Sequence, residues 1–279
     1  DFCLSRGLGD VYKRQEMLRG VALLWPEGLD YYRCQEQIVS DGMSAFLKEM
    51  QQQPYDPEKA LFKMDKAIRF DVQAEGVLRD DGRLVRWKDF TGMSMFLDWA
   101  GGKDSIDNCF ACCPVILWEA FPGGSQSYAY LVDVWMDRAP LSDEISACFD
   151  LYAKWSQFRV RFGSEDWPGV IGDSIRNAFK VESEKRKRDN KAVLPSMNMV
   201  SRTENKLERI TAALEPQIAN RWLAFNRALP MPFIEQFVEF PQHQFVDGPD
   251  ATEGALSLPM RWRKPEEKAV SHWRYEEQS

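Results

Sequence analysis

"SMFLD" (94–98), "CFACCPVILWEAF" (109–121) and "SYAYLVDVWM" (127–136) are three apolar runs rich in β-forming residues, and they follow one another closely along the chain. Runs of this length and composition predict β-strands. Pro114 has no backbone N–H to donate, so it predicts a sheet edge or a bulge in the second strand. Short loops between the three runs indicate an antiparallel meander.

The hydrophobic period changes after the meander. Ile145, Phe149 and Tyr152 recur at helical spacing behind acidic residues that suit a helix N-terminus. The later elements are predicted as a strand at 158–165, a helix at 169–179, a helix containing Leu207, Ile210 and Leu214, a strand at 221–225 and a helix at 232–240. This order predicts an α/β fold, a ribonuclease H-like mixed sheet flanked by helices, as one choice among several mixed-sheet folds.

Composition narrows the class of protein. The 279 residues are 44% hydrophobic, which is enough for a packed core, and the net charge of −7 argues against a protein that coats DNA over its whole surface. The sequence contains no long uncharged apolar run, so we expect no membrane span. Its 6 cysteines show no regular disulfide spacing, which favours a reducing, cytoplasmic setting.

The chain is expected to divide into several segments. Residues 1–15 lack a methionine start and resemble an adaptor-derived leader, so we exclude them from fold prediction and expect the natural protein to extend upstream. Residues 16–66 are predicted to be helical, and 67–90 are interpreted as a linker with short strand-like pieces around the turn "DDGR". We assign 91–262 to the ribonuclease H-like domain and 263–279 to a polar tail.

Acidic residues stand where predicted strands end and where the last helix begins. Asp98 ends the first strand, Glu165 ends the fourth, and Asp247 and Asp250 lie in "FVDGPDATEGAL" (245–256). Carboxylates gathered at one sheet end repel one another, and two divalent cations would resolve that repulsion. The alternatives are ordinary surface charges and, for Asp247, helix capping with Pro249 in the first turn.

The chain resembles a known family, the large subunit of tailed-bacteriophage terminases, over roughly residues 16–260. "MFLDWAGGKDSIDNCFA" (95–111) is similar to the family's first nuclease motif, and "VRFGSEDWPGVI" (160–171) to its second. The most specific part is "NKLERITAALEPQIANRWLAF" (205–225) with "FIEQFVEFPQHQFVDGPDATEGAL" (233–256), which resembles the closing block that leads to "DDGPDA".

The resemblance implies a metal-dependent endonuclease that cuts concatemeric double-stranded DNA with two Mg²⁺ or Mn²⁺ ions. Asp98, Glu165 and Asp247 would be the catalytic, metal-binding acids, and Asp250 and Asp107 are second choices as metal ligands. Val246 stands where many relatives carry a further aspartate, which removes one carboxylate from the family pattern.

The resemblance also implies a setting in the host cell cytoplasm, with viral DNA, the portal protein and the small terminase subunit as partners and no membrane. Residues 25–62 resemble only the end of the family's ATPase domain. No G-x-x-x-x-G-K-[ST] occurs, and "AGGKD" (100–104) lacks the first glycine and the hydroxyl residue after Lys103. ATP would therefore act only through a motor domain outside these residues.

Two further patterns, a pair of cysteines and a basic stretch, carry weaker signals. Cys109 and Cys112 form a C-x-x-C without a second pair, so packing in the core is favoured over a zinc site. Residues 180–210 are locally basic, so we predict a phosphate-facing patch, with Lys206 and Arg209 as the preferred DNA-binding pair and Lys103 as a further candidate.

The open alternatives for function are a resolvase or transposase on the same scaffold, and a degenerate nuclease-like module that docks the motor on DNA or portal.

Overall fold

The computed structural model describes residues 31, 33–36, 60–100, 109–120, 127–167 and 169–258. The chain divides into two compact units, Asp1–Lys59 and Ala60–Ser279. In the first unit the described residues, 31 and 33–36, are helical, and in the second unit residues 60–66 are irregular. The rest of the predicted segment 16–66, the leader 1–15 and the tail 263–279 lie outside the described residues.

The second unit contains a mixed sheet that has nine strands within the described ranges. They are β1 (Ile68–Gln73), β2 (Gly76–Arg79), β3 (Leu84–Arg86), β4 (Phe90–Leu97), β5 (Ala111–Ala120), β6 (Ser127–Asp137), β7 (Val160–Glu165), β8 (Met197–Val200) and β9 (Leu223–Asn226). Their spatial order is β3-β2-β1-β9-β6-β5-β4-β7-β8.

The strand directions identify the fold. β4, β5 and β6 form an antiparallel meander, and β7 and then β8 add to the β4 side in parallel. Three antiparallel strands followed by two parallel strands on the side of the first form a ribonuclease H-like sheet, so the predicted fold class is confirmed. As a consequence, β4, β6, β7, β8 and β9 all end at the same edge of the sheet.

Five helices cover the two faces of this sheet in the described part of the chain: α1 (Leu141–Lys154), α2 (Val170–Arg188), α3 (Lys206–Ala219), α4 (Met231–Val238) and α5 (Asp247–Ser257). Helices α3, α4 and α5 share one apolar core with Phe96, Ile116 and Phe225 of the sheet. Helix α1 shares the opposite core with Met95 and Val115. Within the residues described, no helix is long and apolar enough to cross a bilayer.

Side-chain alternation along the strands explains the two cores. In β4, Met95 and Leu97 belong to the core on the α1 face, while Phe96 between them belongs to the core under α5. Both faces are covered, so the central strands are apolar almost throughout rather than alternately polar. For this reason the three apolar runs quoted above are the strands that are easiest to recognise from the sequence.

The interpretation of residues 67–90 as a linker is wrong. β1 pairs in parallel with β9, with Ile68 opposite Ala224, and β2 and β3 extend the same sheet. The compact unit that contains the sheet begins at Ala60. Close to this start, the ring of Phe62 stacks on the ring of Phe240, with centroids 4.6 Å apart. The strand that joins this segment to the rest of the sheet is β9, more than 150 positions away, so local sequence does not reveal the pairing.

Two further details differ from expectation. β5 lies between β4 and β6, so Pro114 is not at a sheet edge; the predicted bulge is present as a register shift between Val115 and Ile116. β8 was not predicted, because this strand has only four residues and its side chains are at most partly buried. β8 is the last strand in the sheet order, so among the described residues no strand pairs with its outer side.

Candidate active site

Asp98 and Glu165 lie side by side at the shared edge of the sheet. The parallel register of β4 and β7 pairs Leu97 with Ser164, so the next residue of each strand is also adjacent. Asp98 is anchored by backbone hydrogen bonds to Cys112, at 3.0 Å and 2.8 Å. Because side chains alternate, Asp98 points to the same face as Phe96, which is the face covered by α5.

Helix α5 brings its own acids to the same place. It packs across β4 and β5 with Ala251 and Ala255 fully buried. The backbone N–H of Gly248 donates to Oε1 of Gln236 on α4 at 2.7 Å, which anchors the first turn of α5. Asp247 and Asp250 are each only 2% exposed. Small residues in this helix allow its close approach to the sheet, and that approach buries the carboxylates.

The electrostatics of Asp98 show that the four acids interact. Burial raises the pKa of Asp98 well above its usual value, and the charges of Asp250, Asp247 and Glu165 raise it further. Burial is also the main reason that the pKa of Asp247 is raised. Carboxylates separated by up to 152 positions in sequence therefore converge on one cluster, which we call the acid cluster (Asp98, Glu165, Asp247 and Asp250).

Lys206 supplies a positive charge within the acid cluster. Its Nζ lies 2.9 Å from Oδ2 of Asp250 and 4.0 Å from Oδ1 of Asp247. Burial alone would lower the pKa of Lys206, but Asp98, Asp250 and Asp247 outweigh it and raise that pKa. Asn205 places the lysine, because its side chain caps α3 by accepting from the N–H groups of Leu207 and Glu208.

Asp250 is surrounded by cations. Nη1 of Arg202 and Nη2 of Arg209 each lie 2.9 Å from Oδ1 of Asp250. Burial would raise the pKa of Asp250, but Lys206, Arg209 and Arg202 together hold it below its usual value. Both arginines also pair with Glu253, one turn further along α5. Arg202 and Glu253 were not singled out from the sequence, although the three-residue spacing of Asp250 and Glu253 places them on one helix face.

Asp247 does not cap α5. The N-cap residue is Val246, which makes no side-chain cap, while Oδ2 of Asp247 accepts a hydrogen bond from the Phe110 N–H at 2.9 Å. The Cys109 thiol also hydrogen-bonds this carboxylate and helps to lower its pKa against the effect of burial. The capping alternative is therefore wrong.

The remaining sequence predictions have mixed outcomes. Cys112 and Cys113 are fully buried apolar residues of β5, as expected, whereas Cys109 is exposed and lies against the acid cluster. Lys103 and Asp107 lie outside the described residues.

Lys206 and Arg209 are paired with acids and do not form a free basic surface. Their role in DNA binding stays a prediction, and it would require these side chains to contact phosphate while they remain ion-paired. The basic run 184–191 ends α2, which leaves β7 at the acid cluster and returns to the start of β8 at the opposite edge of the sheet. This run is a largely exposed helix end that does not lie beside the acid cluster, so the predicted patch over 180–210 does not include it.

The donor chemistry of the acid cluster suits a hard divalent cation. Carboxylate oxygens are the ligands that Mg²⁺ and Mn²⁺ prefer, and burial together with repulsion from the other acids raises the pKa of Asp98. In the described part of the chain, however, no group of three or more His, Cys, Asp and Glu side chains is arranged to hold an ion as it stands. In this arrangement the ammonium group of Lys206 offsets part of the negative charge of the cluster.

Comparison with known proteins adds little to this geometry. No protein family and no curated protein matches the sequence. Among solved structures, the chain is similar to the P22 large terminase nuclease domain, at 14% identity over 69% of this chain and 88% of that one, with a TM-score of 0.43. The fold is assigned from the strand order and directions, independently of this similarity.

Proposed function

We propose that the chain is a Mg²⁺- or Mn²⁺-dependent DNA endonuclease domain of the terminase large-subunit type, which hydrolyses phosphodiester bonds in double-stranded DNA. The observation that carries the proposal is the convergence of Asp98, Glu165 and Asp247 at one edge of a ribonuclease H-like sheet. The motif resemblances at these residues support the same assignment.

The chain's own residues would divide the work as follows. Asp98, Glu165 and Asp247 would hold the metal ions, because two of them end adjacent strands and the third is fixed by the Phe110 N–H. Bound divalent ions would activate water and stabilise the leaving oxygen of a phosphodiester. Arg202 and Arg209 bind Asp250 and Glu253, and so they fix α5 relative to β8 and α3.

The substrate class follows from the chemistry of such a site. Contacts with the phosphate backbone would make recognition largely tolerant of sequence. Two tryptophans accompany the acids: Trp99 follows Asp98 directly, and Trp167 lies two residues after Glu165. The centroids of their rings are 5.6 Å apart, and 41% of Trp167 is exposed. An aromatic surface is therefore present beside the proposed cleavage site.

The packaging role belongs to this proposal too. Cutting concatemeric viral DNA in the host cytoplasm, with the portal protein and small terminase subunit as partners, rests on the motif resemblance. ATP would be used by the motor domain outside these residues.

The test is plasmid cleavage under titrated Mg²⁺ or Mn²⁺. Wild type should nick and linearise supercoiled DNA only with metal, and Asp98→Asn should lower the rate by about 100-fold or more, because several kcal/mol of metal-based stabilisation is lost. Asp80→Asn is the matched control, since Asp80 is exposed in the β2–β3 turn. No metal-dependent cleavage by wild type would overturn the proposal. A strong preference for branched DNA, or joining of strands, would instead identify a resolvase or a transposase.

One observation favours a second candidate, a nuclease-like module that docks a packaging motor on DNA or portal without cutting. Asp250 is already satisfied by Lys206, Arg202 and Arg209, so part of the acid cluster is neutralised by the protein itself. Isothermal titration with Mg²⁺ distinguishes the two functions. The docking module predicts no saturable metal binding together with intact DNA or portal binding.

A further inference from the structure

Arg138 lies on the rim of the acid cluster, at the edge where β6 ends. Its guanidinium carbon is 4.3 Å from the centre of the Phe110 ring and 5.3 Å from that of Phe245. The two rings contact each other edge to face, with centroids 5.3 Å apart. A guanidinium held against two rings keeps its charge and loses much of its freedom to move.

The same two aromatic residues are tied to Asp247. The backbone N–H of Phe110 donates to Oδ2 of Asp247 at 2.9 Å, and Phe245 precedes Asp247 by two residues. The position of Arg138 is therefore coupled to that of a candidate metal-binding acid. Its own backbone N–H donates to Oδ1 of Asp137 at 2.7 Å, which fixes the strand end from which the side chain extends.

Within the described residues Arg138 has no acidic partner, whereas the other cations at this edge are paired with acids. Lys206, Arg202 and Arg209 are each paired with Asp250. Arg138 is exposed and forms no ion pair with any carboxylate in the described ranges. A polyanionic substrate approaching the acid cluster would meet repulsion from the carboxylates, and the guanidinium of Arg138 at the rim would offset part of that repulsion.

We propose that Arg138 binds a backbone phosphate of the DNA substrate beside the scissile bond. This inference rests on the proposed nuclease function and replaces Lys206 and Arg209 as the first choice for the phosphate contact. The planar guanidinium can donate two hydrogen bonds to one phosphate, and stacking on Phe110 and Phe245 fixes the plane in which it does so.

The test is the salt dependence of binding to a short DNA duplex, measured by fluorescence anisotropy with Ca²⁺ in place of Mg²⁺. Arg138→Ala should weaken binding roughly fivefold and reduce the slope of log K against log salt by about 0.9, the loss of one phosphate contact. Arg138→Lys keeps the charge but loses the stacked plane, so it should retain most of the slope with weaker affinity. Arg159→Ala removes an exposed arginine at the opposite edge of the sheet and is the matched control.

The outcomes separate the two proposals. If wild type binds and cuts DNA while Arg138→Ala and Arg159→Ala show the same salt slope, the assignment of Arg138 is overturned and the nuclease function stands. If wild type neither binds duplex DNA nor cuts it with Mg²⁺, both fail. Circular-dichroism melting of Arg138→Ala identifies a folding defect, in which case Arg138→Lys decides between a retained and a lost phosphate contact.

Discussion

Glu144 makes the stability of this protein depend on pH near neutrality. It lies in the first turn of α1 with 0% of its side chain exposed, and neither carboxylate oxygen has a well-formed hydrogen bond within the part of the chain described. Burial raises the pKa of Glu144 from 4.5 to about 7, although the Ala100 N–H acts in the opposite direction. A pKa raised by folding means that the unfolded chain releases this proton at lower pH than the folded chain does. Protonated Glu144 therefore contributes to the free energy of unfolding. This contribution is fully present below pH 4.5 and is lost as the pH rises through about 7.

Glu144→Gln tests this dependence, because the amide has nearly the same shape and does not titrate. The difference between the two pKa values corresponds to about 3 kcal/mol of unfolding free energy, at about 1.4 kcal/mol for each pH unit. Wild type should therefore lose about 3 kcal/mol more stability than Glu144→Gln between pH 4.5 and 8.5. The raised pKa values of Asp98, Asp247 and Glu253 act in the same direction in both proteins and cancel in the difference.

The assay is urea unfolding in EDTA at a series of pH values, with the free energy of unfolding extrapolated to water. Glu184→Gln, at an exposed position of α2, serves as the control and should run parallel to wild type. Parallel pH curves for wild type and Glu144→Gln would refute the reasoning, since they would mean that Glu144 is ionised at no cost in the folded protein.

Two further substitutions probe how the acid cluster is held together. Lys206→Met should lower stability by about 1–3 kcal/mol in EDTA, less than for a fully buried ion pair because 44% of the lysine side chain is exposed, and Mg²⁺ should restore part of the loss in a thermal-shift assay. An unchanged melting temperature in EDTA would show that the acids do not depend on this cation. Gly254→Ala should cost about 1–3 kcal/mol, because a Cβ there would overlap the Phe96 ring and the Arg202 guanidinium. Full stability and full cleavage activity in this variant would contradict the close packing of α5 on β4.

Much of the fold could be read from the sequence because the central sheet is locally encoded. The runs at 94–98, 109–121 and 127–136 are buried on both faces, so their apolar character is continuous and their strands are recognisable. β8 and β1 were harder to predict from the sequence, since each strand is short or partly exposed and pairs with a distant part of the chain. The segment 67–90 carried a correct turn signal and strand-like pieces, but nothing local indicated that they would join the main sheet.

The candidate acids were predictable because each stands at a local landmark. Asp98 follows β4, Glu165 is the last residue of β7, and Asp247 and Asp250 lie in the first turn of α5. A strand end or helix start can be recognised from a few neighbouring residues, so these positions did not require knowledge of the tertiary structure.

Only the tertiary structure decided how the charges are paired. Lys206 and Arg209 were expected to face DNA, yet the docking of α3 beside α5 turns them onto Asp250. Arg138, which no sequence pattern indicated, packs on Phe110 and has no acidic partner among the described residues. The sequence alone determined which residues end strands and begin helices, because hydrophobic period and turn chemistry act over a few positions. Which charges neutralise each other depends on strand register and helix packing, and these are set by contacts between residues far apart in the chain.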